Sequence, residues 1–217
     1  SHNPPEYNGY KVYWNDGGQI VPPEDHEIIA EVNRLGFDQI KFDGTDNLIT
    51  YIGKDVDREF IKGSIENTLG DVKGRDQLKV VFTSIHGTSI KLIPDTLAQA
   101  GYSDVHIVEE QREPDGTFPT VVSPNPEEPE ALSMAVALAN DIDADIVLGT
   151  DPDSDRIGVA VRNMKGEMIL LNGNQTMAMM TDFLVKKWVQ EGRVNGNQFV
   201  GSTIVSTNLV DRICEAQ

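Results

Sequence analysis

The chain has 217 residues, of which 39% are hydrophobic, and carries a formal net charge of −17. This length can form one large or two small domains, each with its own core. The negative charge argues against nucleic acid and an anionic membrane surface as partners, because both are bound by basic patches. The chain has one cysteine, no long apolar run and no signal peptide, so we expect a cytoplasmic location. It begins without methionine, and we expect it to be part of a longer protein.

The first fifty residues predict turns, one strand and one helix. Residues 1–9 are rich in Pro, Asn and Gly and predict turns, and residues 10–14 predict a strand. A helix is predicted from Pro22 to about Leu35, with acidic residues in its first turn and Gly36 after its end. The composition becomes polar at residues 43–47, which indicates a domain boundary near residue 50.

Strands and helices alternate from residue 55 onward. Helices are predicted at 55–69 (ending at Gly70), 89–100 and 127–140, and strands at 79–82, 105–108, 146–148, 157–161 and 168–171. Such alternation is typical of parallel strands covered by helices, with ligands beyond the carboxyl ends of the strands. We therefore predict an α/β fold for residues 51–171, a three-layer domain with a mixed or mostly parallel sheet and helices on both faces.

The remaining residues predict a helix at 174–190, a strand at 199–205 and a helix at 208–215. One strand with a helix on each side buries too little apolar surface for a complete domain. We therefore predict three parts. Residues 1–50 are the C-terminal part of a first domain, residues 51–171 are a complete domain, and residues 172–217 begin a third one.

Three carboxylates, Asp151, Asp153 and Asp155, alternate along the acidic loop between two predicted strands. Oxygen ligands of this kind suit Mg²⁺. In an extended strand the side chains would stand about 6 to 7 Å apart, so the loop must curl to aim them at one ion. A solvated acidic loop is the alternative. An EF-hand is excluded, because the positions that need Gly and Glu are Arg156 and Arg162.

Two motifs at opposite ends of the chain resemble one family. Ser1-His2-Asn3-Pro4, followed by Asn8-Gly9 and Lys11, resembles the phosphoserine loop of the α-D-phosphohexomutases, the phosphoglucomutase and phosphomannomutase group. The acidic loop with Arg156 resembles the metal-binding loop of that family. Further landmarks of its second and third domains appear in the expected order at His86-Gly87, Pro124-Asn125-Pro126-Glu127 and Gly173-Asn174-Gln175.

The resemblance implies a phosphohexomutase, which moves a phosphoryl group between the 1- and 6-positions of a hexose through a phosphoserine and a bisphosphate. Ser1 would carry the phosphoryl group and join the three aspartates as a ligand of Mg²⁺. Lys11 and Arg156 would supply positive charge, and His2 would lie beside the transferred group. The substrate would be a phosphorylated sugar, with a hexose 1,6-bisphosphate as activator and intermediate.

Other features of the family are missing from this sequence. The Thr-Ala pair before the serine motif is absent, and so are the Gly-Glu-x-Ser-Gly sugar loop and the terminal Ser-Gly-Thr phosphate loop. We therefore expect this stretch alone to be inactive, and the preferred sugar and the oligomeric state stay open. Two other functions compete, an aspartyl-phosphate phosphatase with Asp151 as nucleophile and a non-catalytic divalent-metal-binding module. His86 could serve either the core or the site, whereas His26 and His106 are expected to be structural.

Overall fold

The computed structural model describes residues 1–7, 10–44, 46–68 and 73–217. Contacts divide the chain into a larger unit, Ser1–Glu6 with Asp57–Gln217, and a smaller unit, Tyr7–Val56. The N-terminal serine segment thus belongs to the same unit as the acidic loop. The sequence division at residues 50 and 171 stays a prediction, and the predicted helix end at Gly70 and the Asn8-Gly9 motif lie outside the described residues.

The smaller unit contains helix α1, Glu24–Arg34, which confirms the helix predicted there. Its first turn is acidic, which suits the positive end of the helix dipole. The strand predicted at residues 10–14 is wrong. Only an isolated antiparallel bridge joins Tyr13 to Gln19, where the Trp14 N–H donates to the Gly18 carbonyl at 2.9 Å. This tight reversal has no further strand to pair with among the described residues of the unit, and a strand needs such a partner. Two 3₁₀ turns follow, Phe37–Gln39 and Asp46–Leu48.

The larger unit is built on a five-stranded mixed sheet in the order β2-β1-β3-β4-β5. Strand β1 pairs in parallel with β2 and β3, whereas β3, β4 and β5 form an antiparallel meander. The strands are β1 Lys79–Thr83, β2 Asp104–Ile107, β3 Ile146–Thr150, β4 Ile157–Arg162 and β5 Met168–Leu171. The predicted α/β fold with a mixed sheet is confirmed.

The helices beyond α1 are α2 Lys54–Glu66, α3 Ile93–Gln99, α4 Ser133–Asp141, α5 Gly173–Gln190 and α6 Leu209–Glu215. Helix α5 begins with a capping box, in which the Asn172 side chain accepts from the Gln175 N–H at 2.9 Å. None of the described helices is long and apolar enough to cross a membrane.

Three predicted boundaries or elements differ from the structure. Helix α4 begins at Ser133, not at residue 127, because Pro129 disfavours helical backbone at the residue before it. The helix predicted at 89–100 consists of a 3₁₀ turn, Thr88–Lys91, followed by α3, which has a proline in its first turn. The strand predicted at 199–205 is wrong, since the described residues offer it no pairing partner.

Small side chains let α4 lie close to the sheet. Ala135 and Ala139 of this helix are fully buried. They belong to a core cluster with Val81, Val108, Ala144, Val147 and Ala160. This side of the sheet is therefore closely packed on both strands that flank the acidic loop, which gives the loop a rigid base.

A pair of glycines makes room for the segment that precedes α4. Gly149 and Gly158 lie opposite each other in β3 and β4. A Cβ atom on Gly158 would lie 2.1 Å from the Pro126 carbonyl oxygen, and one on Gly149 would lie 2.3 Å from a Leu132 methyl group. The main chain at Pro126 therefore rests directly on β4, and the Leu132 side chain packs directly on β3, the two strands that frame the acidic loop.

We predict that Gly158→Ala lowers the free energy of unfolding by about 2 to 3 kcal/mol, because the added methyl group meets backbone that cannot move aside. The measurement is urea unfolding followed by circular dichroism. Gly63→Ala is the matched control. A Cβ there meets nothing within 4 Å, and alanine favours the helix by up to about 1 kcal/mol. Equal stability of the two variants would contradict the prediction.

Candidate functional site

The acidic loop brings three carboxylates together at the end of β3. One oxygen atom each of Asp151, Asp153 and Asp155 lies within 4.8 Å of the others. The curl that this requires is produced at Ser154, whose φ is +67° and whose N–H donates to the Asp151 carbonyl at 3.0 Å. The side chains that would lie apart in a straight strand are therefore gathered around one point.

Asp151 is the buried member of this cluster. Its Oδ1 accepts the Arg156 N–H at 3.0 Å, but its Oδ2 is buried and accepts no hydrogen bond from the described part of the chain. Burial raises the pKa of Asp151 to about 6, and the neighbouring carboxylates of Asp153 and Asp155 act in the same direction. An orphaned buried carboxylate oxygen beside two more carboxylates fits a divalent cation, which prefers oxygen ligands.

His86 does not serve the carboxylate cluster. Its ring is buried, with Nδ1 3.1 Å from the Glu113 carbonyl and Nε2 2.9 Å from Thr120 Oγ1. The Gln111 side chain also donates to Thr120 Oγ1, at 3.1 Å, and accepts from Thr83 Oγ1 at 2.6 Å. These bonds hold the long connection between β2 and α4 against the end of β1, which is a structural role.

His106 and His26 each lie near an aspartate that is close to them in sequence. His106 Nε2 lies 2.7 Å from Asp104 Oδ1 on the same strand. His26 lies on α1 with its Nε2 3.9 Å from Asp25 Oδ2, and its side chain is largely exposed. Both arrangements are those expected of structural or surface histidines.

The serine segment lies beside the acidic loop. The terminal ammonium group of Ser1 is 2.9 Å from Asp153 Oδ1, and the Asn3 N–H donates to Ser1 Oγ at 3.3 Å. Ser123 Oγ donates to the His2 carbonyl at 3.3 Å. Ser1 thus lies beside Asp153, although some 150 residues separate the two in sequence, and His2 is held against Ser123.

The side chain of Arg156 contacts the segment that precedes α4. Its Nη1 lies 3.8 Å from Glu127 Oε2, and Glu127 is held by its own N–H, which donates to Asn125 Oδ1 at 3.2 Å. Both side chains are partly exposed, so this ion pair contributes less than about 1 kcal/mol and leaves Arg156 able to exchange partners. Lys11 is exposed and belongs to the smaller unit.

Two residues of this region had no assigned role in the sequence. Glu127 belongs to a recognised motif, but the sequence predicts no interaction for it. Its ion pair with Arg156 is seen only in the three-dimensional structure. Ser123 gave no sequence signal, because its contact with His2 spans 121 residues. Contacts this distant in sequence leave no local pattern of period or spacing.

We predict that metal affinity falls about tenfold between pH 7.5 and pH 5. The pKa of Asp151 in the metal-free protein is about 6, so at pH 5 a proton must leave before a cation can bind. The measurement is titration with Mn²⁺ followed by electron paramagnetic resonance at pH 5, 6 and 7.5. Equal affinity at pH 5 and pH 7.5 would contradict the prediction.

We predict that Asp151→Asn abolishes metal binding yet stabilises the metal-free protein by about 2 kcal/mol at pH 7.5. The folded pKa of about 6 exceeds the ordinary aspartate pKa of 3.8. The buried charge therefore lowers the stability of the wild type above pH 6, and this loss disappears as the pH falls toward 4. Urea unfolding in the presence of a chelator measures the difference.

Asp143→Asn is the control for that variant. The Asp143 side chain is 91% exposed and its ion pair with Arg162 spans 3.3 Å at the surface, so its replacement should change stability by less than about 1 kcal/mol. An Asp151→Asn protein that is less stable than the wild type at pH 7.5 would show that the buried charge is not the source of the penalty.

Two family models match the chain. One is described as phosphoglucomutase/phosphomannomutase, alpha/beta/alpha domain II, and matches residues 58–166, which is half of the chain. The other is described as alpha/beta/alpha domain I of the same group and matches residues 1–39. The layer order in the first description agrees with the predicted three-layer domain.

Curated relatives carry the name phosphoglucomutase. That of Staphylococcus epidermidis (strain ATCC 12228) is 36% identical over 220 residues, which cover 99% of this chain and 39% of the relative. That of Staphylococcus aureus (strain MRSA252) is 36% identical over 195 residues, covering 88% of this chain and 35% of the relative. The chain therefore spans about two fifths of the length of these relatives.

Solved structures share the fold. A putative phosphomannomutase from Thermus thermophilus superposes with a TM-score of 0.67 at 24% identity, over 99% of this chain and 44% of that one. A phosphoglucomutase/phosphomannomutase family protein from Burkholderia thailandensis gives a TM-score of 0.61 at 22% identity, over 86% of this chain and 36% of that one. Fold, motif order and family model agree, and the chain belongs to the phosphoglucomutase/phosphomannomutase family.

Proposed function

We propose that this chain is the phosphoserine and metal-binding part of a phosphohexomutase. The full-length enzyme moves a phosphoryl group between the 1- and 6-positions of a hexose, through a phosphoserine at Ser1 and a hexose bisphosphate intermediate. The substrate is a phosphorylated sugar, and a hexose 1,6-bisphosphate acts as activator. A cytoplasmic location belongs to this proposal, since the chain contains a single cysteine and so forms no internal disulfide.

One observation carries the proposal. Ser1 lies beside the carboxylate cluster that contains the orphaned oxygen of Asp151. Its terminal ammonium group is 2.9 Å from Asp153 Oδ1, and the next residue is held independently of that charge, since the His2 carbonyl accepts from Ser123 Oγ. The segment that carries the serine hydroxyl thus reaches one carboxylate of the cluster. This arrangement has a chemical purpose if the serine carries a phosphoryl group and the carboxylates hold a cation.

The charges explain why both partners are needed. A phosphoserine adds a charge of about −1.5 to −2 beside Asp151, Asp153 and Asp155, and these like charges repel. Mg²⁺, held by these three carboxylates and a phosphoserine oxygen, would neutralise charge on the phosphoryl group. Arg156 binds the phosphate of the sugar after leaving Glu127, and Lys11 adds positive charge that the acidic chain as a whole does not supply. His2, next to Ser1, forms hydrogen bonds to the transferred group.

The proposal includes the domain division 1–50, 51–171 and 172–217. The family models at residues 1–39 and 58–166 support it.

Because the chain spans 39% of the length of the Staphylococcus epidermidis relative, we also infer that these 217 residues do not turn over substrate by themselves. Robust conversion of glucose 1-phosphate by the isolated stretch would contradict this inference.

The rival functions have less support. An aspartyl-phosphate phosphatase needs a nucleophile that a phosphate ester can reach, but Asp151 is fully buried. A non-catalytic metal-binding module accounts for the carboxylates and gives no reason for Ser1 to lie beside them. The two rivals and the mutase differ in where phosphate accumulates.

We predict acid-stable phosphate on Ser1 after the full-length protein is incubated with Mg²⁺ and glucose 1,6-bisphosphate. The measurement is phosphopeptide mapping by mass spectrometry. Ser1→Ala should lose the label and all mutase turnover, because no other residue can take over the transfer. Ser64→Ala, in α2, is the matched control. It removes a hydroxyl that donates to the Phe60 carbonyl of the same helix and should keep the label.

Each outcome has a distinct meaning. Acid-labile phosphate on Asp151 would favour the phosphatase and contradict the mutase. Absence of phosphate on both residues, with metal still bound, would leave the metal-binding module.

A further inference from the structure

We propose that Thr88, in the turn after β1, is a positioning residue for the acidic loop, holding the curvature that gathers its three carboxylates around a divalent cation. The inference rests on the metal-binding part of the proposed function. It assigns a role to a residue outside the cluster, and it does not depend on which reaction the metal serves.

Thr88 binds the residues that separate the aspartates. Its N–H donates to the Pro152 carbonyl at 2.9 Å, and its hydroxyl donates to the same oxygen at 3.1 Å. The hydroxyl oxygen also lies 3.3 Å from Ser154 Oγ, which can donate to it. Pro152 and Ser154 are the two spacers between the carboxylates, so one side chain links both points at which the loop bends.

The loop needs such an anchor because charge repulsion and backbone strain oppose the curl, against which the loop itself sets its bonds to Asp151. Three carboxylates within 4.8 Å of one another repel. Ser154 has a left-handed backbone, with φ +67°, which costs a non-glycine residue about 1 kcal/mol. Pro152 has no N–H, so its carbonyl is the main-chain group through which the loop can be held at this position. Without external bonds a more open loop would relieve both the repulsion and the backbone strain.

The turn that carries Thr88 is rigid enough to provide this anchor. Ile85 and His86 both have left-handed backbones, with φ of +46° and +58°. The turn is fixed by bonds from the His86 N–H to the Gln111 carbonyl and from the Gly87 N–H to the Ser84 carbonyl, both 2.9 Å. Strained backbone persists only where the surroundings determine it strongly.

Gly87 shows how closely the two loops approach. A Cβ atom there would lie 2.4 Å from Pro152 Cα and 2.7 Å from its carbonyl oxygen. The φ of Gly87 is −105°, so the glycine is required by this contact and not by its backbone conformation. The main chains of the turn and of the acidic loop therefore touch directly, and Thr88 bonds at the point of contact.

A neighbouring residue offers a matched control. Ser89 Oγ and Thr150 Oγ1 lie 2.6 Å apart in a buried hydrogen bond at the end of β3. This bond joins the same turn to the strand and not to the spacers of the loop. Losing it should reduce stability without releasing the curl.

The test is Mn²⁺ affinity of the full-length protein, measured by electron paramagnetic resonance, together with thermal unfolding of the metal-free form. Thr88→Val keeps the shape and the N–H bond and removes the hydroxyl. We expect it to weaken Mn²⁺ binding about fivefold, because it loses the bond to the Pro152 carbonyl and the longer contact with Ser154 Oγ. Thr88→Ser restores the hydroxyl and should bind within about twofold of the wild type, and Ser89→Ala should unfold at a lower temperature with affinity likewise unchanged.

Several outcomes would overturn the inference. The first is that Thr88→Val and Thr88→Ala, a second variant without the hydroxyl, both bind Mn²⁺ as tightly as the wild type. The second is that Ser89→Ala weakens binding as much as Thr88→Val, because local stability would then account for both effects. Failure of the wild type to bind Mn²⁺ would refute the metal-binding proposal itself. If the wild type binds Mn²⁺ but phosphopeptide mapping finds no phosphoserine, the mutase proposal is refuted and the role of Thr88 is retained.

Discussion

The larger unit is arranged around one electrostatic constraint, the gathering of three carboxylates at the carboxyl end of β3. One of them, Asp151, is fully buried and keeps an oxygen without a hydrogen bond among the described residues. Isolated buried charge is strongly disfavoured in proteins, and two more carboxylates lie within 4.8 Å. The rest of the fold must therefore hold together a cluster that would otherwise open.

The fold meets this constraint by supporting the acidic loop from several sides. The parallel β1 and β3 bring the turn with Gly87 and Thr88 against Pro152, and the antiparallel β3 and β4 hold the two ends of the loop together. Gly149 and Gly158 let a further segment rest on those strands. The same segment continues through Ser123 and Glu127, which contact His2 and Arg156. The segment that packs on β3 and β4 thus also contacts the side chains that are proposed to act on phosphate.

The chain carries a net charge of −17, which makes a local source of positive charge indispensable for a phosphorylated substrate. In the proposed function the carboxylates supply it indirectly, by holding a cation, and Arg156 supplies it directly. The weak, partly exposed pairing of Arg156 with Glu127 keeps the guanidinium near the loop. Under the same proposal, the stability that the carboxylates cost the metal-free protein is recovered when metal and phosphate bind, as is common at functional sites.

The sequence by itself determined the α/β class, the five strands of the sheet, the helices α1 and α5 and the identity of the carboxylate cluster. All of these follow from local periods, from caps and from charged residues at short spacing. Tertiary structure alone decided that residues 10–14 and 199–205 form no strands, since a strand depends on a partner that local pattern does not reveal. It also decided which oxygen of Asp151 is orphaned, that Ser1 lies at Asp153, and that Thr88 bonds Pro152. These contacts join residues more than sixty positions apart or depend on burial, and the physical forces behind them act through space and not along the chain.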